Sequence, residues 1–405
     1  MINLERFIYE QVVCRKESMF LKDIEMHSEE LIQKIRGKSV LVIGGAGSIG
    51  SYFIKAILPF HPASLVVVDI NENALAELTR DLRSTKGIYM PAEYIPYPMD
   101  FAFVTFEKMF RRHGGFDIVG NFSAHKHVRS EKDIYSIEVL LQNNVLHAKK
   151  LLDLLVEFPP EEYFCVSTDK AANPVNIMGA SKRIMEDVIF SYSDKFPVKT
   201  ARFANVAFSN GSLPAGFLQR IEKRQPLSAP SDVRRFFVSP EESGQICMMA
   251  CILGNNRDIF FPKLESYQML SFDQIALRLL KVYGYEAELC ASEKEAIERA
   301  AQLREGKIIK GRYPVYFSSS DTSGEKPYEE FYTEYETIEQ ERFNALGVVT
   351  GKPFPDQAKI QRLFEKLERA FTEENITKEK IVQIISEYLP DFKHIETGKS
   401  LDSKM

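Results

Sequence analysis

Apolar residues in this chain fall first into short unbroken runs and only later into helical spacing. VLVIGG covers 40–45, LVVVDI 65–70, FDIVGNFSA 116–124 and YFCVSTD 163–169. Such runs suit parallel strands covered on both faces, and the intervals between them are long enough for crossover helices. A doubly wound α/β domain is therefore predicted over 37–210. Ahead of it, residues 1–36 carry Ile24, Leu31, Ile32 and Ile35 at helical spacing among charges, which predicts an amphipathic helical extension packed on the next domain. Beyond Ser209, Gly211, Pro214, Gly216, Pro226, Pro230 and Pro240 punctuate short segments. A smaller substrate-facing part is expected over 211–345, with helices near 271–283 and 293–304, a strand at 315–318, and some segments returning to the main sheet. Residues 346–405 read as a helical extension, apolar at helical spacing over 355–388, with a polar tail.

Composition narrows the function classes. With 44% hydrophobic and 27% charged residues, the 405-residue chain is globular in character, and no apolar run reaches the length of a membrane span, about 18 residues. The first 36 residues lack the apolar stretch of a secretion signal, so a soluble cytoplasmic protein without a membrane partner is expected. A net charge of −5 leaves no basic surplus for a nucleic-acid backbone, although a small anion can still be held by a helix N-terminus. The cysteines, Cys14, Cys165, Cys247, Cys251 and Cys290, are scattered and without a CxxC pair, and His125 and His127 do not form a convincing metal pair. Neither a disulfide framework nor a metal is expected.

The first candidate chemistry lies where the first run ends. Gly44, Gly47 and Gly50 follow a predicted strand and open a predicted helix. In that position Gly44 permits the tight turn, Gly47 lets backbone approach a pyrophosphate, and Gly50 lets helix and strand pack, while N–H groups of the first helical turn, at Ser48 and Ile49, face the anion. Asp69 ends the second run, about 20 residues beyond Gly50, where a carboxylate accepts from ribose hydroxyls and repels a 2′-phosphate. NAD is thus expected over NADP. Asp100 is placed near the adenine.

Four segments carry a more specific likeness: FSAHKHV (122–128), STDKAANPVNIMGASKR (167–183), RFANVAFSNGS (202–212) and SGEKPYEEFY (323–332). In order and spacing they resemble the UDP-N-acetylglucosamine 4,6-dehydratases, extended short-chain dehydrogenases/reductases of bacterial glycan biosynthesis with a Rossmann-type sheet. That resemblance implies oxidation of C4 of a nucleotide-linked hexose by NAD, loss of the C5 proton, departure of water from C6 and return of hydride to C6. It assigns Asp169 as the acid at the C6 oxygen and Lys170 as the base at C5, with Lys182 holding the nicotinamide ribose. A base lysine needs a lowered pKa, and Lys182 and Arg183 are the cations expected to lower it. The likeness further places Ala124 by the cofactor, Lys126 and His127 between cofactor and sugar, Asn144 under the active-site helix, and Asn205, Arg235, Glu325 and Lys326 around the nucleotide. Homo-oligomers are implied as well. Longer relatives carry membrane helices ahead of this domain, whereas here a polar extension stands in that place, so a free soluble form is expected.

One position departs from the wider superfamily. Met178 stands where most short-chain dehydrogenases have the tyrosine of Tyr-x-x-x-Lys, and a thioether exchanges no proton. A branch of the dehydratases resembles this chain in that respect, which leaves Thr168, Asp169 through water, or Lys182 as candidates for removing the C4 hydroxyl proton. Two other readings stay open: a 4-epimerase, and a catalytically silent dinucleotide-binding sensor or scaffold. The cofactor assignment is testable directly: initial rates or binding with NAD should exceed those with NADP, and a clear NADP preference overturns the role given to Asp69.

Overall fold

The computed structural model describes residues 2–306, 311–320, 326 and 328–396. The four apolar runs become strands β1 (Ser39–Ile43), β2 (Ser64–Asp69), β4 (Ile118–Asn121) and β5 (Glu162–Val166). With β3 (Glu93–Pro98), β6 (Val198–Ala201), β7 (Ile259–Pro262), β8 (Thr337–Glu339) and β9 (Leu346–Thr350), they form one sheet in the order β8-β9-β7-β6-β5-β4-β1-β2-β3. Strands β1 to β7 pair in parallel, with Leu41 opposite Val66 and Val119, while β8 and β9 close the edge antiparallel. Parallel pairing sends the carboxyl ends of all seven strands to one edge, where ligands bind in open α/β sheets.

The helices that matter most at that edge are α1 (Ser48–Ile57), α2 (Ile134–Leu141), α3 (Ala148–Leu155), α4 (Ile177–Phe190) and α5 (Pro240–Leu253). A π turn over Gln142–His147 joins α2 to α3. Helix α5 packs on α1 and on β5, β6 and β7, so residues 240–262, like 337–350, return to the main sheet. The boundary drawn between 345 and 346 therefore falls at the head of β9, and only Gln357–Phe371 and Lys378–Tyr388 behave as a helical extension, packed on the main core through Ile360, Leu363, Leu367, Ile381 and Ile385.

A second lobe gathers a small parallel sheet, Glu286–Leu289, Arg312–Ser318 and Leu227–Pro230, under helices Leu213–Glu222, Phe272–Val282 and Glu293–Arg304. Its core, with Phe217, Ile275, Leu279, Tyr313 and Val315, also contains Phe7, Ile8, Val12 and Val13. The head of the chain thus divides between the lobes. Its first helical turns, Leu4–Phe7 and Ile8–Val12, join the second lobe, whereas Phe20, Leu31 and Ile35 enter the main core. Between them Arg15 makes a two-pronged pair with Glu242 of α5, at 3.0 and 2.7 Å.

The main sheet is locked at its centre by charge. Arg202, at the end of β6 and 0% exposed, donates to Glu186 of α4 at 2.8 and 2.6 Å and to Glu336 beside β8 at 2.7 and 3.0 Å. Arg183 and Lys352 lie 3.2 and 2.9 Å from Glu336, and Ser167 donates to Glu186 at 2.7 Å. Burial alone would push the Glu186 carboxyl up, but Arg202 foremost outweighs it and holds the pKa at about 2. With an unfolded value near 4.3, the stabilisation is complete above that pH and is lost as pH falls through about 2. Arg202→Ala leaves two buried carboxylates without their main counter-ion. It should destabilise the fold by about 3–5 kcal/mol in chemical denaturation at neutral pH, and a loss under about 1 kcal/mol would mean that the network carries no stability.

Candidate active site

The loops after β1, β2, β4 and β5 meet at the carboxyl edge. Gly44 adopts φ +71°, donates to Val68 O at 2.7 Å, and sits so close to the β4 loop that a Cβ there would lie 2.6 Å from Ser123 N. A Cβ on Gly50 would lie 2.4 Å from Gly44 O, so helix α1 can start against β1 only with glycine at that position. Gly47 is the N-cap of α1, which puts Ser48 and Ile49 in the first turn, and the Ser48 hydroxyl accepts Asn210 N–H at 2.9 Å. Asp69 closes the cradle: one carboxylate oxygen takes Ala46 N–H at 3.0 Å and the other Asn71 N–H at 2.9 Å. With about four acceptor sites on a carboxylate, capacity for ribose hydroxyls remains. Asp100 lies beside it, since Met99 N–H donates to Asp69 O at 3.0 Å, and its own carboxylate takes Ala102 N–H at 2.8 Å. A backbone cradle that a single added carbon would fill, next to a strand-end carboxylate, fits a dinucleotide.

The β4 loop carries Ala124, Lys126 and His127 and is pinned from below by Asn144, which lies in the π turn and is buried. Its amide accepts His125 N–H at 2.9 Å and donates to His125 O at 2.9 Å and to Ser181 Oγ at 3.0 Å. A π turn at such a point moves one side chain out of the regular ladder toward a site. Lys126 and His127 are exposed along the loop, with His127 reaching toward Gly211.

Next to this loop, β5 ends in a short turn that holds the acid and the lysine. Asp169 is 4% exposed, and its Oδ1 receives Thr168 Oγ1 at 2.8 Å and Lys170 Nζ at 3.1 Å. Lys170 also stands 3.7 Å from Glu329 Oε1, and the same oxygen lies 3.9 Å from Arg235 Nη2. Arg235, on the short strand Arg234–Arg235, donates to Lys326 O at 2.9 Å, while Lys326 Nζ donates to Asn173 O at 2.5 Å. Thr168, Asp169, Lys170 and Arg235 therefore come together, joined by a residue not singled out from sequence, Glu329. It sits in the quoted segment 323–332, but nothing in its spacing distinguishes it from Glu330. Glu325 lies outside the described residues. Asn205 is half-buried and takes part through its backbone, donating to Phe236 O at 3.1 Å.

Two expectations change here. Burial works against the Lys170 ammonium, but Asp169 and then Glu329 outweigh it, so its pKa is raised rather than lowered. Arg183 is engaged with Glu186 and Glu336 at 3.5 and 3.2 Å, and the ammonium of Lys182 with Val166 O at 3.0 Å; the cation that opposes the rise at Lys170 is Arg235. Lys182, by contrast, has its pKa lowered through desolvation, as does Lys126 on the β4 loop. One turn before it, Met178 is buried, its N–H held by Glu131 Oε1 at 2.9 Å.

A parallel sheet in this order, with a glycine turn after β1 and a carboxylate ending β2, defines a Rossmann-type fold. Solved structures share the fold. Pen from Bacillus thuringiensis superposes with a TM-score of 0.62 at 20% identity, covering 78% of this chain and 89% of its own. UDP-glucuronic acid 4-epimerase from Bacillus cereus does so with 0.52 at 15% identity, covering 72% and 89%. Within that fold the chain belongs to the polysaccharide biosynthesis protein family, which it matches over residues 40–350. It is 30% identical over 359 residues to an uncharacterized membrane protein of Methanocaldococcus jannaschii, covering 87% of this chain and 96% of that one. It is 25% identical over 241 residues to the inverting UDP-N-acetylglucosamine 4,6-dehydratase of Campylobacter jejuni, covering 58% and 69%. Against the probable polysaccharide biosynthesis protein EpsC of Bacillus subtilis it is 28% identical over 289 residues, 70% of this chain but 47% of that protein, so it spans about half of that relative. Among the described residues no helix is long and apolar enough to cross a membrane.

The pinning by Asn144 is open to measurement. Asn144→Ala strips the β4 loop of its buried amide partner and should destabilise the protein by about 1–3 kcal/mol in chemical denaturation, while an unchanged midpoint would show that the β4 loop does not need it.

Proposed function

We propose that this chain is an NAD-dependent nucleotide-sugar 4,6-dehydratase, with UDP-N-acetylglucosamine as substrate, forming a 4-keto-6-deoxy sugar nucleotide for glycan biosynthesis. The observation that carries this reading is the Asp169–Lys170 pair at the carboxyl end of β5, on the same edge of the sheet as the glycine cradle. The inverting dehydratase named among its relatives supports the substrate class. Gly44, Gly47, Ser48, Ile49, Gly50 and Asp69 would hold the dinucleotide, with Asp100, Ala124 and Lys182 bordering it. Bound there, NAD would supply an acceptor for the C4 hydride and its donor back to C6.

The protein's own groups then account for the protons. Thr168 donates to Asp169, so a proton leaving the C4 hydroxyl can pass through Thr168 Oγ1 to Asp169 Oδ1, and Asp169 delivers it to the C6 oxygen that departs as water. Lys182 is less suited to that first step because its ammonium is buried against Val166 O. Met178 offers only an apolar wall. Lys170 faces C5 as its base, with Lys126, His127, Asn205, Arg235 and Glu325 around the sugar nucleotide.

A 4-epimerase on the same fold is the alternative, favoured by the epimerases among the structural neighbours. It needs hydride transfer but no acid–base pair for dehydration, and Asp169–Lys170 argues against it. Incubation with UDP-N-acetylglucosamine and NAD followed by mass spectrometry separates the readings: a loss of about 18 Da is expected, an isomer of unchanged mass means epimerase, and no change means a silent binder. Asp169→Asn and Lys170→Ala should each lower turnover by about 10²–10⁴-fold while the dinucleotide still binds, and near-normal turnover in either overturns its assigned role.

A further inference from the structure

The acid–base pair as built has one proton too many. Lys170 is an ammonium flanked by Asp169 Oδ1 at 3.1 Å and Glu329 Oε1 at 3.7 Å, and an ammonium has no lone pair with which to take a proton from carbon. Asp169 is not free for the surplus, because in this reading it must take the C4 proton from Thr168 and deliver it to C6. Water is a poor outlet too: the Lys170 side chain is 18% exposed and the Glu329 side chain 5%.

We propose that Glu329 is a positioning residue of this site, whose buried carboxylate takes up the Lys170 proton so that the free amine acts at C5, with Arg235 linking that exchange to nucleotide binding. This rests on the reading of Asp169 and Lys170 as the acid–base pair. One N–H bond of Lys170 breaks and one O–H bond on Glu329 forms, turning two opposite buried charges into two neutral groups. Lys170 then takes the C5 proton, returns it as hydride reaches C6, and recovers its own from Glu329. No co-reactant is needed.

The surroundings favour the exchange. Burial, first, and Asp169 lift the Glu329 carboxyl above its usual range, while Lys170, Arg235 and Lys326 pull it down. Arg235 holds both groups down, so an anionic diphosphate that engages it lets both rise, but because its guanidinium stands against Glu329 Oε1 at 3.9 Å the carboxyl gains the more. The neutral form, amine plus carboxylic acid, gains accordingly.

The test uses the full chain with UDP-N-acetylglucosamine and NAD, as wild type, Glu329→Gln and Glu329→Asp, with kcat and KM followed from about pH 6 to about pH 9. With an internal acceptor, wild-type kcat varies little through neutrality. Glu329→Gln should lower it about 100-fold there with KM within about threefold, and its kcat should climb about tenfold per pH unit, because Lys170 must now lose its proton to water. Glu329→Asp should restore the level profile. A glutamate that only supports the fold would not change the profile's shape. A Glu329→Gln enzyme matching wild type in rate and profile overturns the role of Glu329 alone. If that variant does not fold, Glu329→Asp decides, and a sloped profile there overturns the role as well. A wild-type chain that dehydrates no sugar nucleotide overturns the acid–base reading and this inference together.

Discussion

A single guanidinium holds the working edge of this protein in register. Arg202 leaves β6 fully buried and meets Glu186 of α4 on one side and Glu336, next to the β8–β9 hairpin, on the other. Glu186 in turn accepts from Ser167, the residue after β5, so the strand that ends in Asp169 and the helix that carries Met178 and Lys182 share one anchor. Isolated buried charges are costly, and what makes these tolerable is that Arg202, Arg183 and Lys352 surround the two carboxylates while Ser167 donates to one of them. Such a lattice favours one packing of helix on strand over its neighbours, which matters where a proton has to cross about 3 Å.

How far the sequence could be read follows from the same chemistry. Strands β1, β2, β4 and β5 were legible because they are nearly pure apolar runs covered on both faces, and the helix at Phe272–Val282 because its apolar positions keep helical spacing. Strand β3 was not: EYIPYP lies at the sheet edge, half exposed, where Pro96 and Pro98 are tolerated because an edge strand needs no complete ladder. Strand β6 hid behind Lys199 and Thr200, polar residues buried in a central strand. The division of the N-terminal segment between two cores was equally invisible, since periodicity tells which face is apolar and not what covers it.

At the site, the glycines and Asp169–Lys170 were legible from motif and position, whereas the charge state of Lys170 was not. That state depends on Glu329, about 160 residues away along the chain, and sequence distance carries no information on such a meeting. Expecting Lys182 and Arg183 to act on Lys170 assumed that neighbours on one helix face one target. Arg183 instead turns to the carboxylates that Arg202 needs, and Lys182 to the backbone of β5. Met178 belongs to the same picture: with no phenol at that position of the helix, the proposed route for the C4 proton runs through the turn after β5.

The head of the chain is a leash. Residues 4–13 belong to the core of one lobe and residues 20–35 to that of the other, and Arg15 is fastened to α5 in between. The slack amounts to about six residues, roughly 20 Å if drawn straight. One lobe can therefore swing away from the other only by stretching or unhooking this tether, so the N-terminal segment sets a limit on how far the two cores can part.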